Sequence, residues 1–402
     1  MPAAIALALL ALLALLAVAS AETNAANAKD KCPISYSFPR GSSPLFGGLM
    51  DKGLQCKLSN GKSCPQRNPK AVDACTQDPN VARFGVCDEA QRAAGLKLAR
   101  QLYSGAPLKA SPCELYSYLR GRTLWLTGDS HSKQLYKALQ CALIDFWDGN
   151  ECKVTKDDAL MQQLDTLPVQ RGNSRCFHLI GNGRVCITHA VLGTSLLDNS
   201  QVANGGVLNT LRDKGLAKPA DIFLLQFGVW HAKGGEPGVQ QHRAALQALG
   251  QDYSRTKGKW PHVIWRESPM THDKDKTMTK CLPAATGWGF DNVNGRLTLS
   301  ENARSTRAAL LARGGTLNAA ARESLPAYGV PIMKGYDYSV PLHAAHVGLR
   351  GSKELDCLHY CHQGLPEILV YELLRTLKSG VTGVKPLPPV APERRLACTP
   401  LK

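Results

Sequence analysis

Three short apolar runs, at residues 123–127, 222–227 and 262–265, each give way to polar residues where a strand would leave its sheet. No other feature of the chain constrains its fold as tightly. Runs of four to six aliphatic, aromatic and β-branched residues, apolar throughout rather than alternating, read as strands buried on both faces. Between them the apolar residues change to helical spacing, after Ser130, over about 239–253 and over about 300–322. Shorter extended pieces are expected near 185–188 and 330–333, and residues 175–188 read as a hairpin turning at Gly181-Asn182-Gly183. This alternation predicts an α/β fold, a doubly wound parallel sheet with helices on both faces. Such sheets meet their ligands at the carboxyl ends of the strands, so the residues that end each run carry the functional signal.

The first run ends in Gly128-Asp129-Ser130, which puts a serine hydroxyl on a strand-to-helix turn. Near the other end of the chain, Asp356-Cys357-Leu358-His359 precedes a last helix marked by Pro366 at its start and Gly380 at its stop. The two motifs together hold the parts of a serine acyl-transfer centre: Ser130 as nucleophile, His359 as base and Asp356 to orient the imidazole. Gly128 lets the backbone bend, and Asp129 is expected to bond within the turn. The second run closes on Gln226-Phe227-Gly228-Val229-Trp230-His231 and the third on Arg266-Glu267-Ser268-Pro269-Met270-Thr271-His272.

Taken in order, these four segments resemble the PC-esterase and trichome-birefringence-like family of SGNH/GDSL-type O-acetyltransferases and esterases, over about residues 120–380. Plant members read Asp-Cys-x-His-Trp-Cys in the last motif, where this chain has Tyr360 in place of Trp. Many carry Asn where this chain has Gln226. The resemblance implies an SGNH-hydrolase-like sheet and an acyl-enzyme formed on Ser130. It also implies support of the site by Gly128, Asp129, Gln226 and Gly228, with Gln226 adding to the backbone donors of the oxyanion hole and Gly193 a candidate second glycine. Candidate substrate contacts are Trp230, His231, Arg266 and His272. The activity implied is O-acetyl transfer to a polysaccharide or oligosaccharide hydroxyl, using an acetyl donor and no bound cofactor. A carbohydrate acetylesterase with the same triad and a catalytically silent carbohydrate-binding relative are the alternatives.

The rest of the chain suits a secretory protein. An uncharged Ala/Leu-rich run from Ala3 to Ala19 followed by Ala19-Ser20-Ala21 reads as a signal peptide over residues 1–21. No other stretch is apolar enough to span a bilayer, so a membrane span is expected only if that segment stays uncleaved. All 14 cysteines lie beyond it, an even number suited to disulfides in an oxidising compartment. Six of them, Cys32 to Cys113, crowd a Gly-, Pro- and Lys-rich segment read as a stapled lobe over 22–117. The catalytic domain is placed at 118–380 and a Pro-rich basic tail at 381–402. The expected location is the Golgi lumen, the cell wall or the extracellular space.

Cys357, His359, Cys361 and His362 invite a zinc reading, but a structural zinc site draws on two separated ligand pairs and no Cys-x-x-Cys stands elsewhere. No metal is expected there, and His343 and His346 read as rim or surface histidines. A net charge of +16 is spread along the chain. With a secretory address it points to an acidic polysaccharide rather than nucleic acid, although the same charge also serves solubility alone. No Asn-x-Ser/Thr sequon is present.

Overall fold

The structure, a computed structural model, describes residues 112–143, 174–197, 206–285, 287–291, 296–299, 306–350, 354–362 and 364–387. It also describes residues 35–36, 56–57, 90–91, 93, 146, 160, 162–163 and 166. The expected signal peptide, nearly all of the cysteine-rich lobe and the tail beyond 387 lie outside the described residues.

In chain order the first half contributes α1 (Pro112–Leu119), β1 (Thr123–Gly128), α2 (Ser130–Ala142), β2 (Arg175–Leu179), β3 (Gly183–His189), α3 (Gly193–Leu197), α4 (Gly206–Asp213) and β4 (Ile222–Leu225). After them come α5 (Val229–Ala232), α6 (Gly235–Thr256), β5 (Val263–Arg266), β6 (Trp288–Asp291), β7 (Arg296–Leu299), α7 (Thr306–Ala312) and α8 (Gly315–Ser324). The chain then forms β8 (Ile332–Met333), α9 (Tyr336–Ser339), β9 (His346–Arg350), β10 (Glu354–Tyr360) and α10 (Leu365–Lys378). Six strands make one sheet in the order β8-β5-β4-β1-β3-β2. Every pair is parallel except β2 with β3, so the sheet is mostly rather than wholly parallel.

The strands are short because they are buried on both faces, and their side chains divide by parity. Leu124 and Leu126 of β1, with Val185, Ile187, Ile222, Leu224 and Ile264, pack against Leu135 and Leu139 of α2 and Ile368 and Leu373 of α10. Trp125, Phe223, Leu225, Val263 and Trp265 point the other way, onto Leu208 and Leu211 of α4, Leu246 and Leu249 of α6, and Ala320 and Ala321 of α8. Each fully buried side chain of this size contributes about 1.5–3 kcal/mol over an exposed one. The chain enters at β1, passes to β3 on one side, then crosses to β4 on the other. The carboxyl end of β1 is therefore the topological switch point, where open α/β sheets leave a crevice.

One expectation changes. The helix expected over about 300–322 is two helices, because Gly314 and Gly315 both take positive φ, +105° and +67°, and break the run between α7 and α8. Ahead of β1, α1 buries Leu115, Tyr116 and Leu119 in the same core as that strand. Asp356 and His359 lie on β10, which pairs antiparallel with β9 outside the main sheet and leads into α10. Among the described residues no helix is long and apolar enough to cross a membrane.

Candidate active site

The Gly-Asp-Ser turn can be built one residue at a time. Gly128 ends β1 where the next strand comes close; a Cβ there would strike the Gln226 carbonyl oxygen and come within 2.5 Å of Ser132 Oγ. Asp129 caps α2, its Oδ1 accepting the His131 N–H at 2.9 Å. Ser130 is the first residue of α2, so its N–H belongs to the donors that a helix cannot satisfy internally. Oγ and that N–H thus sit at the positive end of a 13-residue helix, at the switch point of the sheet.

β10 brings the remaining groups from the other end of the chain. His359 Nε2 lies 2.6 Å from Ser130 Oγ, and His359 Nδ1 lies 2.8 Å from Asp356 Oδ2. Asp356 Oδ1 accepts the N–H groups of Leu358, at 3.0 Å, and His359, at 2.9 Å. Burial pushes this carboxyl up, but the hydrogen bonds from the His359 ring and from the two N–H groups outweigh it, and the group stays well below the usual carboxylate range. An anion fixed in this way holds the imidazole in the tautomer with Nδ1–H, leaving Nε2 to accept the serine proton. His131 lies beside the pair, its Nε2 3.0 Å from the Leu358 carbonyl and its ring 5.5 Å from that of His359.

Beneath Ser130 runs a buried polar network. Gln226 Nε2 donates to Asp129 Oδ2 and to Ser268 Oγ, both at 2.9 Å. Its Oε1 accepts from Arg266 at 2.9 Å and from Ser132 Oγ at 3.3 Å. Burial pushes the Asp129 carboxyl up, while His131, Gln226 and the Arg266 charge pull it down to about 2. Burial lowers the Arg266 guanidinium to about 10, with Asp129 opposing the change.

The structure thus brings Ser130, His359 and Asp356 together, with Gly128, Asp129 and Gln226 immediately below. Both amide protons of Gln226 are committed to Asp129 and Ser268, so its place is to hold the turn rather than to donate to an oxyanion. Gly193 is likewise committed, its N–H donating to His231 Nε2 at 3.0 Å. Gly228 caps α5, and a Cβ there would come within 2.9 Å of Ser268 Oγ. Of the four candidate substrate contacts only Trp230 reaches solvent, at 47% exposure with Lys233 Nζ 4.0 Å above its ring. Arg266, His231 and His272 are buried at 1–3% exposure and stand behind the site. His346 is buried too, correcting its reading as a rim histidine: its Nδ1 meets the His359 carbonyl at 3.0 Å and its Nε2 meets His272 Nδ1 at 2.7 Å.

The residues missed in the sequence, His131, Ser132 and Ser268, carry no motif of their own. Their signal is position alone, just after the carboxyl end of a central strand, β1 for His131 and Ser132 and β5 for Ser268. Cys357 is bonded to Cys281, which removes one thiol from the zinc reading. No family model matches the chain, and no curated protein matches it either.

Proposed function

We propose that this protein is a serine-dependent O-acyltransferase that moves an acetyl group, through an acyl-serine, to a polysaccharide hydroxyl in the secretory pathway. The observation that carries the reading is the hydrogen-bonded line Ser130–His359–Asp356, at 2.6 and 2.8 Å, on a helix amino terminus at the sheet's switch point. The motif resemblance supplies the acetyl group and the sugar acceptor.

Ser130 Oγ bonds to the carbonyl carbon of the acetyl donor while its proton passes to His359 Nε2. The Ser130 N–H supports the tetrahedral oxyanion, and each such donor lowers the barrier by roughly 3–4 kcal/mol in comparable sites. As the intermediate collapses, His359 returns the proton to the departing donor oxygen. A sugar hydroxyl then repeats the cycle, giving its proton to His359, taking the acetyl group and releasing Ser130. Water in place of the sugar gives the esterase.

The test is Ser130→Ala, read by fluorophosphonate labelling and by turnover of a chromogenic acetyl ester with and without oligosaccharide. Labelling should vanish and turnover should fall about a thousandfold or more. Acetylated acceptor formed in preference to acetate identifies the transferase; acetate alone identifies the esterase. Labelling that survives the substitution would rule out Ser130 as nucleophile.

A further inference from the structure

Residues 272–281 form an exposed hairpin fastened to the triad strand. Its base is the antiparallel bridge Lys274–Cys281, joined to β10 by the Cys281–Cys357 disulfide, Cα atoms 5.6 Å apart, and by the His272 N–H donating to the Cys357 carbonyl at 3.1 Å. Cys281 Sγ also lies 3.9 Å from the carbonyl of Asp356 itself. The tip is built around Asp275. Its Oδ1 accepts the N–H groups of Thr279, at 2.7 Å, and Lys280, at 3.0 Å, and its Oδ2 accepts the hydroxyls of Thr277 and Thr279.

The charges of this hairpin do not balance. Asp273 is paired with Arg307, and Asp275 is turned onto its own loop's donors. Lys274, Lys276 and Lys280 are all exposed, and among the described residues no ion pair holds any of them. All three lysines fall within seven residues, on the loop whose tip the Asp275 hydrogen bonds hold. Three exposed lysines against the one carboxylate of Asp275 leave the hairpin with a cationic excess, one disulfide away from the strand that carries Asp356 and His359, which suits a polyanion whose reacting hydroxyl must reach Ser130.

We propose that this hairpin is a docking element for the carboxylate or sulfate groups of an anionic glycan chain, which it presents to the triad. The docking itself stands on the hairpin; the acetylation that would follow rests on the acyl-transfer reading. Lysine ammonium groups act as point charges that accept either anion, so the two sources share one chemistry.

The experiment uses the full chain and labelled oligogalacturonate, a chondroitin sulfate oligosaccharide, a neutral xylo-oligosaccharide and a short DNA duplex, with affinity read by fluorescence anisotropy. The triple variant K274Q/K276Q/K280Q should weaken binding of at least one anionic glycan tenfold or more, and its affinity should fall less steeply with added salt. The charge-matched variant K214Q/K218Q/K257Q, at exposed lysines on the loops that lead into β4 and β5, should shift it less than twofold. The single reversal K276E gives the same sign with less disturbance of the loop. Comparing the oligogalacturonate and chondroitin sulfate arms identifies the anion. Equal loss from both multiple variants, wild-type affinity in the hairpin variant, or tighter binding of DNA than of either glycan would overturn the proposal. Binding by Ser130→Ala separates the two readings: hairpin-dependent affinity in a protein with no Ser130-dependent turnover refutes acyl transfer and leaves docking standing, whereas turnover without hairpin-dependent affinity does the reverse.

Discussion

At the scale of single residues, one amide meets four partners at once. Gln226 joins Asp129, Ser268, Arg266 and Ser132. A carboxylate and a guanidinium can both stay buried here because each is neutralised by the other's field and by this shared amide. Gln226→Leu keeps a similar size but removes two donors and an acceptor together. The unfolding free energy should fall by about 3 kcal/mol, measured by urea denaturation, because Asp129 and Arg266 would each lose a hydrogen-bonding partner in a dry setting. A midpoint equal to wild type would mean that the network adds nothing to stability. None of this was legible in the sequence. The resemblance implied an oxyanion donor at Gln226 and a substrate contact at Arg266. The structure instead buries both side chains against each other and against partners from elements distant in the chain.

The same lesson holds, with a different balance, for whole elements. The central strands were legible because burial on both faces leaves an unbroken apolar run, which no exposed element needs. The β9–β10 pair was not, since its residues mix charge, histidine and cysteine and its register is set by contacts rather than by pattern. The break at Gly314-Gly315 could have been seen, as paired glycines interrupt helices. Beyond that break α8 carries Arg322, which bonds Glu267 at 2.6 Å and Asp337 at 2.8 Å. Glu267 in turn accepts the N–H groups of Gly335 and Tyr336, tying the end of β5 to the start of α9. Arg322→Ala strands a fully buried carboxylate, and a loss of about 3 kcal/mol is expected in chemical denaturation. Arg322→Ala paired with Glu267→Gln should recover part of that loss; failure to do so would assign the effect to lost packing.

For the molecule as a whole, the buried histidines set the acid limit. Burial lowers His242 and His272 to about 4 and His346 to about 3, from an ordinary value of 6.5. Between pH 6.5 and 4 the unfolded chain therefore binds protons that the folded chain refuses, so stability falls as pH falls through that window. Asp129, depressed to about 2, adds a further loss from pH 3.8 downward. The urea midpoint should decline steadily from pH 6.5 to pH 4; a flat profile over that range would show that these rings are not held neutral by the fold. The α/β class could be read from the sequence alone because it follows from strand and helix spacing. The acid limit could not, because it depends on which histidines the packing encloses.

The edge strand β2 has one further consequence. Cys176 and Cys186 stand directly opposite each other in the β2–β3 pairing and are joined by a disulfide. Sliding one strand by a single residue would throw the two sulfurs onto opposite faces of the sheet. Once formed, the disulfide therefore locks the strand alignment: the oxidised hairpin holds this one register. The sealed hairpin then covers the flank of β3 against any neighbouring chain that might add to the sheet.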